Sequence, residues 1–241
     1  MPFSVHVGTS GYNYPEWKGT FYPEKWPASK MFGFYAEHFR TVEINYSFYR
    51  MPTAANAAAW RAQAPEGFTY TLKAPKRITH DRRLRDCSDV LAQFAECAQA
   101  LGPHLACLLF QLPPNFRCDA ARLDSFLGGV QKGLRVAVEF RHESWHDEAV
   151  YTVLRQHNAA LCIADFGDHT TPLVATATHG YFRLRDEGYE AADIAQWASR
   201  IATQSADWTD TFVYFKHEDE GKGPAFAKQF MGALANLAGK D

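Results

Sequence analysis

The sequence lacks a dominant charge. Its 25 Lys and Arg oppose 27 Asp and Glu, a formal net charge of -2. No global field therefore draws the chain to nucleic acid or to an anionic membrane, and any electrostatic argument must be local. It has no apolar run near the roughly 20 residues that a bilayer span needs. No basic segment with an apolar stretch opens the chain, and a strand begins almost at once at Phe3–Gly8. Cysteine is sparse: Cys87, Cys97, Cys107, Cys118 and Cys162 are 5 in number, with no C-x-x-C spacing. An odd count without close pairs argues against a disulfide framework and for free thiols in a reducing compartment. A soluble, cytoplasmic protein is the expectation. Repeats, low-complexity tracts and linkers are missing as well, so residues 1–241 read as a single domain.

Aromatic residues and alternation are what the sequence does have. The 241 residues are 46% hydrophobic and 15% aromatic. Strands are predicted at Phe3–Gly8, Thr41–Tyr46, Phe68–Ala74, His104–Leu112, Arg135–Arg141, Ala159–Asp165, Tyr181–Arg185 and Thr211–His217. Period-two patterning carries them: Val136, Val138 and Phe140 alternate with Ala137, Glu139 and Arg141. Helices are predicted at Lys30–Phe39, Thr53–Ala62, Ser88–Leu101, Asp119–Val130, Asp147–His157, Tyr189–Thr203 and Pro224–Leu237, with Ser88 as an N-cap. Strands separated by helices imply parallel pairing with right-handed crossovers. Eight such units in this length predict a (β/α)8 TIM barrel, irregular between strands six and seven. An open doubly wound sheet is the competitor, weakened by the lack of a glycine-rich phosphate fingerprint after strand one.

In such a barrel the working face lies at the C-terminal strand ends. The polar residues there are Ser10, Glu43, Asn45, Lys73, Gln111, Glu139, Arg141, Asp165, Arg183, Tyr214 and Lys216. Buried ions are costly unless they pair or serve a ligand, so this many converging polar ends exceed what scaffolding requires. Glu43 and Glu139 suit an acid/base pair. Lys73 suits a phosphate anchor or, if desolvated beside cations, a Schiff-base amine. Arg141 and Arg183 suit bidentate capture of phosphate or carboxylate. The loop after strand three is basic, with Lys76, Arg77, Arg82, Arg83 and Arg85 around Asp81. It reads as a solvated loop or, with His80, as an anion trap. The long first loop holds Tyr12, Tyr14, Trp17, Phe21, Tyr22 and Trp26. These rings read either as a plug at one barrel end or, at Tyr12 and Trp17, as a stacking wall for a sugar or base.

The segment His142-Glu-Ser-Trp-His146 matches H-E-x-x-H in letters, but it follows a strand directly. The zinc motif needs both histidines on one helical face, so a metalloprotease is set aside. A divalent ion held by Glu43, Glu139, Asp165 and His80 stays open as a cofactor.

Several motifs in order carry a resemblance. They are Gly8-Thr-Ser-Gly-Tyr12, Trp17-Lys-Gly-Thr-Phe-Tyr-Pro23, Val42-Glu-Ile-Asn45, Phe48-Tyr-Arg-Met-Pro52, Lys73-Ala-Pro75 with Ile78-Thr-His80, Phe110-Gln-Leu-Pro-Pro114 and Val138-Glu-Phe-Arg-His-Glu-Ser-Trp145. Across nearly its whole length the chain resembles the YecE-like family (domain of unknown function 72). The resemblance implies a TIM barrel and supplies no established reaction or catalytic residue set. The chain departs from the family's Arg-Leu-His-Gly at Arg183-Leu-Arg-Asp186, and from its Asn near strand eight at Tyr214-Phe-Lys-His217.

The functional expectation is an enzyme of hydrolase or lyase type acting on a small anionic, phosphorylated or sugar-containing substrate. The alternative is a non-catalytic or weakly catalytic binder of single-stranded nucleic acid or nucleotides, through the basic and aromatic loops.

Overall fold

The computed structural model describes residues 4–166, 169–205 and 208–239. The chain runs β1 (Ser4–Ser10), α1 (Met31–His38), β2 (Thr41–Ile44), α2 (Tyr46–Tyr49), α3 (Ala54–Gln63), β3 (Thr69–Lys73), α4 (Ser88–Gln99), β4 (Leu105–Gln111) and α5 (Ala120–Gly128). It continues β5 (Val136–Glu139), α6 (Glu148–Gln156), β6 (Ala159–Phe166), β7 (His169–Thr170), β8 (His179–Leu184), α7 (Ala191–Gln204), β9 (Asp210–Phe215) and α8 (Lys222–Ala238).

Eight strands pair in parallel and close on themselves, with β1 bonded to both β2 and β9, and β5 bonded to β6. The anticipated irregularity between the sixth and seventh barrel strands is the short strand β7, which folds back antiparallel on β6 at Asp165 and Phe166. This is the (β/α)8 barrel.

Alternation sorts the side chains into two cores. Val136, Val138, Leu108 and Phe110 join the large cluster between barrel and helices, whereas Ala137, Cys107, Leu109, Cys162, Tyr181, Phe212 and Tyr214 fill the barrel interior. Full burial of each large apolar side chain contributes about 1.5–3 kcal/mol, so a one-residue register slip, which would exchange the two faces, is strongly disfavoured. Gly8 is required where β1 meets β2: a Cβ there would lie 2.2 Å from the carbonyl oxygen of Thr41.

Three local departures from expectation bear on the site and its loops. The second strand ends at Ile44, and Asn45 opens the short helix α2 instead of extending the strand to Tyr46. Ser88 is the first residue of α4 rather than its cap, a position held by Cys87 without a side-chain bond. The basic loop carries a π-helical turn at Arg77–Asp81. Phe3 lies outside the described residues. Among the described residues, no helix is long and apolar enough to cross a membrane. All five cysteines are free, and only Cys118 is not buried.

Candidate functional site at the C-terminal barrel mouth

The uppermost interior layer of the barrel is ionic. Lys73, Gln111 and Glu139 end β3, β4 and β5, Glu43 is the next-to-last residue of β2, and all lie in phase with their inward-facing neighbours, while Arg183 projects from β8. Arg183 is fully buried and lies between the two acids. Its Nη2 donates to Glu43 Oε1 at 2.8 Å, and its Nη1 donates to Glu139 Oε2. Weaker contacts reach Ser10 Oγ at 3.3 Å and Gln111 Oε1 at 3.5 Å.

Each carboxylate has further donors. Glu43 accepts from the Ser10 hydroxyl, and from the Tyr181 hydroxyl at 2.5 Å. Glu139 accepts from Arg141 Nε at 2.8 Å. Burial alone would raise both carboxyls. The adjacent cations and donors outweigh it: Glu43 is held below the ordinary range by Arg183, Ser10 and Tyr181, and Glu139 is pulled down to about 2 by Arg183 and Arg141. Arg183 is held charged by Glu43 and Glu139 against its own desolvation.

This network dictates an amide orientation. An ionised Glu43 only accepts, so the Ser10 O–H must point to it. Ser10 Oγ then accepts from Asn45 Nδ2 at 2.8 Å. Asn45 thereby joins the ionic layer to a cleft of about 290 Å³ lined also by Tyr12, Tyr14, Tyr46, Asn56 and Trp60.

Lys73 is different from the other ions. Its Nζ stands 4.1 Å from the centre of the Phe48 ring, and among the described residues no carboxylate or hydrogen-bond acceptor pairs with it. The side chain is 8% exposed. Burial, together with the positive field of Arg183 and Arg141, overcomes the attraction of Glu43 and Glu139 and brings the amine down to about 7. Arg141 is tethered through Nε alone; its terminal nitrogens make no bond among the described residues. His80 is half-buried near this group, its edge on Phe48 at 5.0 Å and its Nδ1 at 2.9 Å from Thr79 Oγ1.

Four expected site residues lie elsewhere. Tyr214 sits one layer deeper, its hydroxyl bonded to Thr41 at 2.8 Å and Thr71 at 2.9 Å, where it belongs to the packed interior. Asp165 falls on the outward phase of β6, since Ala160 and Cys162 are the inward residues. It accepts from Trp197 Nε1 at 3.0 Å, from the Arg185 amide at 2.9 Å and from the Tyr189 hydroxyl, and burial raises its carboxyl despite those donors. Trp17 is 1% exposed and gives its Nε1 to the Glu218 carbonyl at 2.8 Å, so it packs as core and offers no stacking face. Lys216 pairs with Glu218 at 3.3 Å, in a separate cleft with Arg185 and His217. Tyr12 alone of that expected aromatic pair lines a cleft.

The H-E-x-x-H letters fall on a 3-10 turn, where His142 Nδ1 accepts from the Ser144 amide at 3.1 Å. Glu43, Glu139, Asp165 and His80 do not gather: among the described residues no three His, Cys, Asp or Glu form a group able to hold a metal ion. Two residues of the site were not anticipated. Tyr181 shares the inward phase of Arg183 and was open to the same alternation argument; Phe48 comes from α2, which patterning did not reveal.

Fold and site together define a single-domain parallel (β/α)8 barrel protein with a buried Glu–Arg–Glu layer beneath its mouth. A family model described as "Protein of unknown function DUF72" matches residues 6–240, and the chain belongs to that family. The UPF0759 protein YunF of Bacillus subtilis (strain 168) is 24% identical over 270 residues, covering 95% of this chain and 94% of YunF. The UPF0759 protein YecE of Escherichia coli (strain K12) is 32% identical over 109 residues, covering 45% of this chain and 40% of YecE. Among solved structures, a DUF72 family protein of Thermotoga maritima superposes with a TM-score of 0.86 at 24% identity, covering 96% of this chain and 99% of that one. Another DUF72 family protein, from Enterococcus faecalis, gives 0.81 at 18% identity, covering 96% and 95%. These likenesses support the fold; none of the names states a reaction.

Proposed function

We propose that the barrel mouth binds a small anionic substrate and that the protein is an enzyme of hydrolase or lyase type. One observation carries this reading: Arg141, bonded to Glu139 through Nε alone with its terminal nitrogens unbonded among the described residues, and Lys73, without an ion-pair partner there, share the mouth with carboxylates that Arg183 already neutralises in part. Glu43 and Glu139 have their ion-pair partners, and their depressed pKa values suit them to fixed negative charge more than to carrying a proton near neutrality. Lys73 is the group that changes protonation near pH 7. In this reading Arg141 grips a phosphate or carboxylate with its free fork, and Lys73 gives or takes the proton.

Calorimetric titration with inorganic phosphate, simple carboxylates and sugar phosphates tests it. Saturable binding that Arg141→Gln weakens is the expected result. Equal response of the wild type and Arg141→Gln to every anion would remove the site.

The nucleic-acid reading has its own observation: Tyr49 is 77% exposed and Tyr46 46% exposed, with exposed Arg50, Lys76 and Arg77 on the loops after β2 and β3. Salt-sensitive retention of a single-stranded oligonucleotide, lost in Tyr49→Ala, would favour it.

A further inference from the structure

We propose that Lys73 is a covalent nucleophile, forming an imine with a carbonyl carbon of the bound anion, so that the substrate class is a keto- or aldehyde-bearing carboxylate or phosphate. The inference rests on the anion-binding reading of the mouth and narrows it.

Geometry separates Lys73 from a structural lysine. A buried lysine that serves the fold pairs with a carboxylate. Here two carboxylates share the same layer, and both are bonded to arginines. Lys73 instead packs its amine on the face of Phe48 at 4.1 Å. An aromatic face attracts the cation but accepts no strong hydrogen bond, so the nitrogen lone pair of the neutral form stays free. Arg183 and Arg141 add a positive field that disfavours protonation. Desolvation beside other cations is the arrangement that activates lysine toward carbonyls. With its pKa brought to about 7, half the amine is neutral at pH 7. An ordinary lysine, near 10.4, is neutral to less than about one part in a thousand.

The step balances without an oxidant. The Nζ lone pair attacks the carbonyl carbon and the C=O π pair moves to oxygen. A proton passes from nitrogen to that oxygen, giving a carbinolamine. The hydroxyl then takes up a second proton, the C–O bond breaks and water leaves with the former carbonyl oxygen; the nitrogen lone pair forms C=N, and the remaining N–H proton is released, replacing the one taken up. The net change is amine plus carbonyl to imine plus water. Protonated, the imine accepts the electron pair of a cleaved α bond, which is lyase chemistry. Arg141, free at its terminal nitrogens, is placed to hold the substrate's anionic group.

Reductive trapping tests this on the intact protein. Pyruvate and dihydroxyacetone phosphate serve as carboxylate and phosphate probes, with sodium borohydride supplying the hydride that converts imine to secondary amine. Peptide mass mapping locates the adduct. Lys73 is expected to be trapped about tenfold or more faster than the exposed lysines Lys25 and Lys132 near pH 7. One probe is expected to outpace the other, and excess inorganic phosphate to suppress trapping. Adducts confined to surface lysines, in protein that binds phosphate by calorimetry, overturn the imine and leave the anion site standing. No adduct and no phosphate binding overturn both. Trapping at Lys73 that phosphate does not suppress keeps the nucleophile and removes the anion contact. Lys73→Arg, which preserves charge and bulk, is expected to abolish the mapped adduct; a folded Lys73→Arg with unchanged total labelling would overturn the assignment.

Discussion

Arg183 Nη2 lies 2.8 Å from Glu43 Oε1, and neither side chain has any exposed surface. A charge pair in that position is held by geometry rather than by net stabilisation, since desolvation consumes much of its Coulomb attraction. Its removal is therefore asymmetric in effect. Arg183→Met leaves Glu43 and Glu139 facing each other without their shared cation, and is expected to destabilise the fold by about 3–5 kcal/mol. Adding Glu43→Gln and Glu139→Gln to that variant is expected to recover part of the loss. Urea unfolding of the single and triple variants measures both, and a triple variant no more stable than the single one would contradict the account.

Glu139 gives the network a pH signature. Its folded pKa of about 2 lies below the ordinary 4.5. A depressed carboxyl contributes stability that is complete above 4.5 and lost as pH falls toward 2. The difference corresponds to about 3 kcal/mol. Glu139→Gln is expected to be less stable than wild type at neutral pH, yet to lose stability less steeply through the acid window. Glu43 adds a slope of the same sign, so the variant's profile flattens without becoming level. Parallel profiles for the two proteins would show that Glu139 does not titrate there.

Alternation makes most of this arrangement legible in the sequence. The inward phase of Glu139, Lys73 and Arg183 follows from Ala137, Thr71 and Tyr181 lying two residues before each. Asp165, expected at the mouth as a strand end, is out of phase with it, because Ala160 and Cys162 set the inward face of β6. Tyr214 was in phase but a layer too deep; period two tells face, not height. What patterning cannot reach is pairing across the barrel. That Arg183 is occupied by Glu43 and Glu139, while Arg141 keeps its fork free, depends on strand register. Phe48 lies on a four-residue helix, too short to leave a 3.6-residue period. The first-loop rings looked alike in sequence, and only packing separates buried Trp17 from cleft-lining Tyr12.

Arg141 should separate ligand binding from folding. It is 23% exposed at its side chain and bonds Glu139 through one nitrogen. Arg141→Gln is expected to cost about 1–2 kcal/mol of stability. Loss of a charge-assisted bidentate contact should weaken phosphate or carboxylate binding by about tenfold to a hundredfold. Arg141→Lys should restore charge without the fork and recover only part of the affinity. Calorimetry on the three proteins makes the comparison. Full recovery with lysine would indicate a diffuse charge effect in place of bidentate contact.

Lys73 carries a pH dependence of the same sign in the alkaline range. Its folded pKa of about 7 lies below the ordinary 10.5. Below about 7 the amine is protonated in both states, and the folded protein bears the cost of a desolvated cation. Between 7 and 10.5 the unfolded chain holds a proton that the folded chain has released, so unfolding takes up a proton and stability rises with pH. Lys73→Met removes this slope. Its advantage over wild type should therefore be largest near pH 6 and shrink toward about pH 9, before the buried tyrosines, whose hydroxyls are shifted upward, begin to dominate. Urea unfolding of both proteins across that range measures the difference. If it stays constant with pH, Lys73 keeps its proton throughout, and the neutral amine on which both the proton-transfer and imine readings depend is not present at physiological pH.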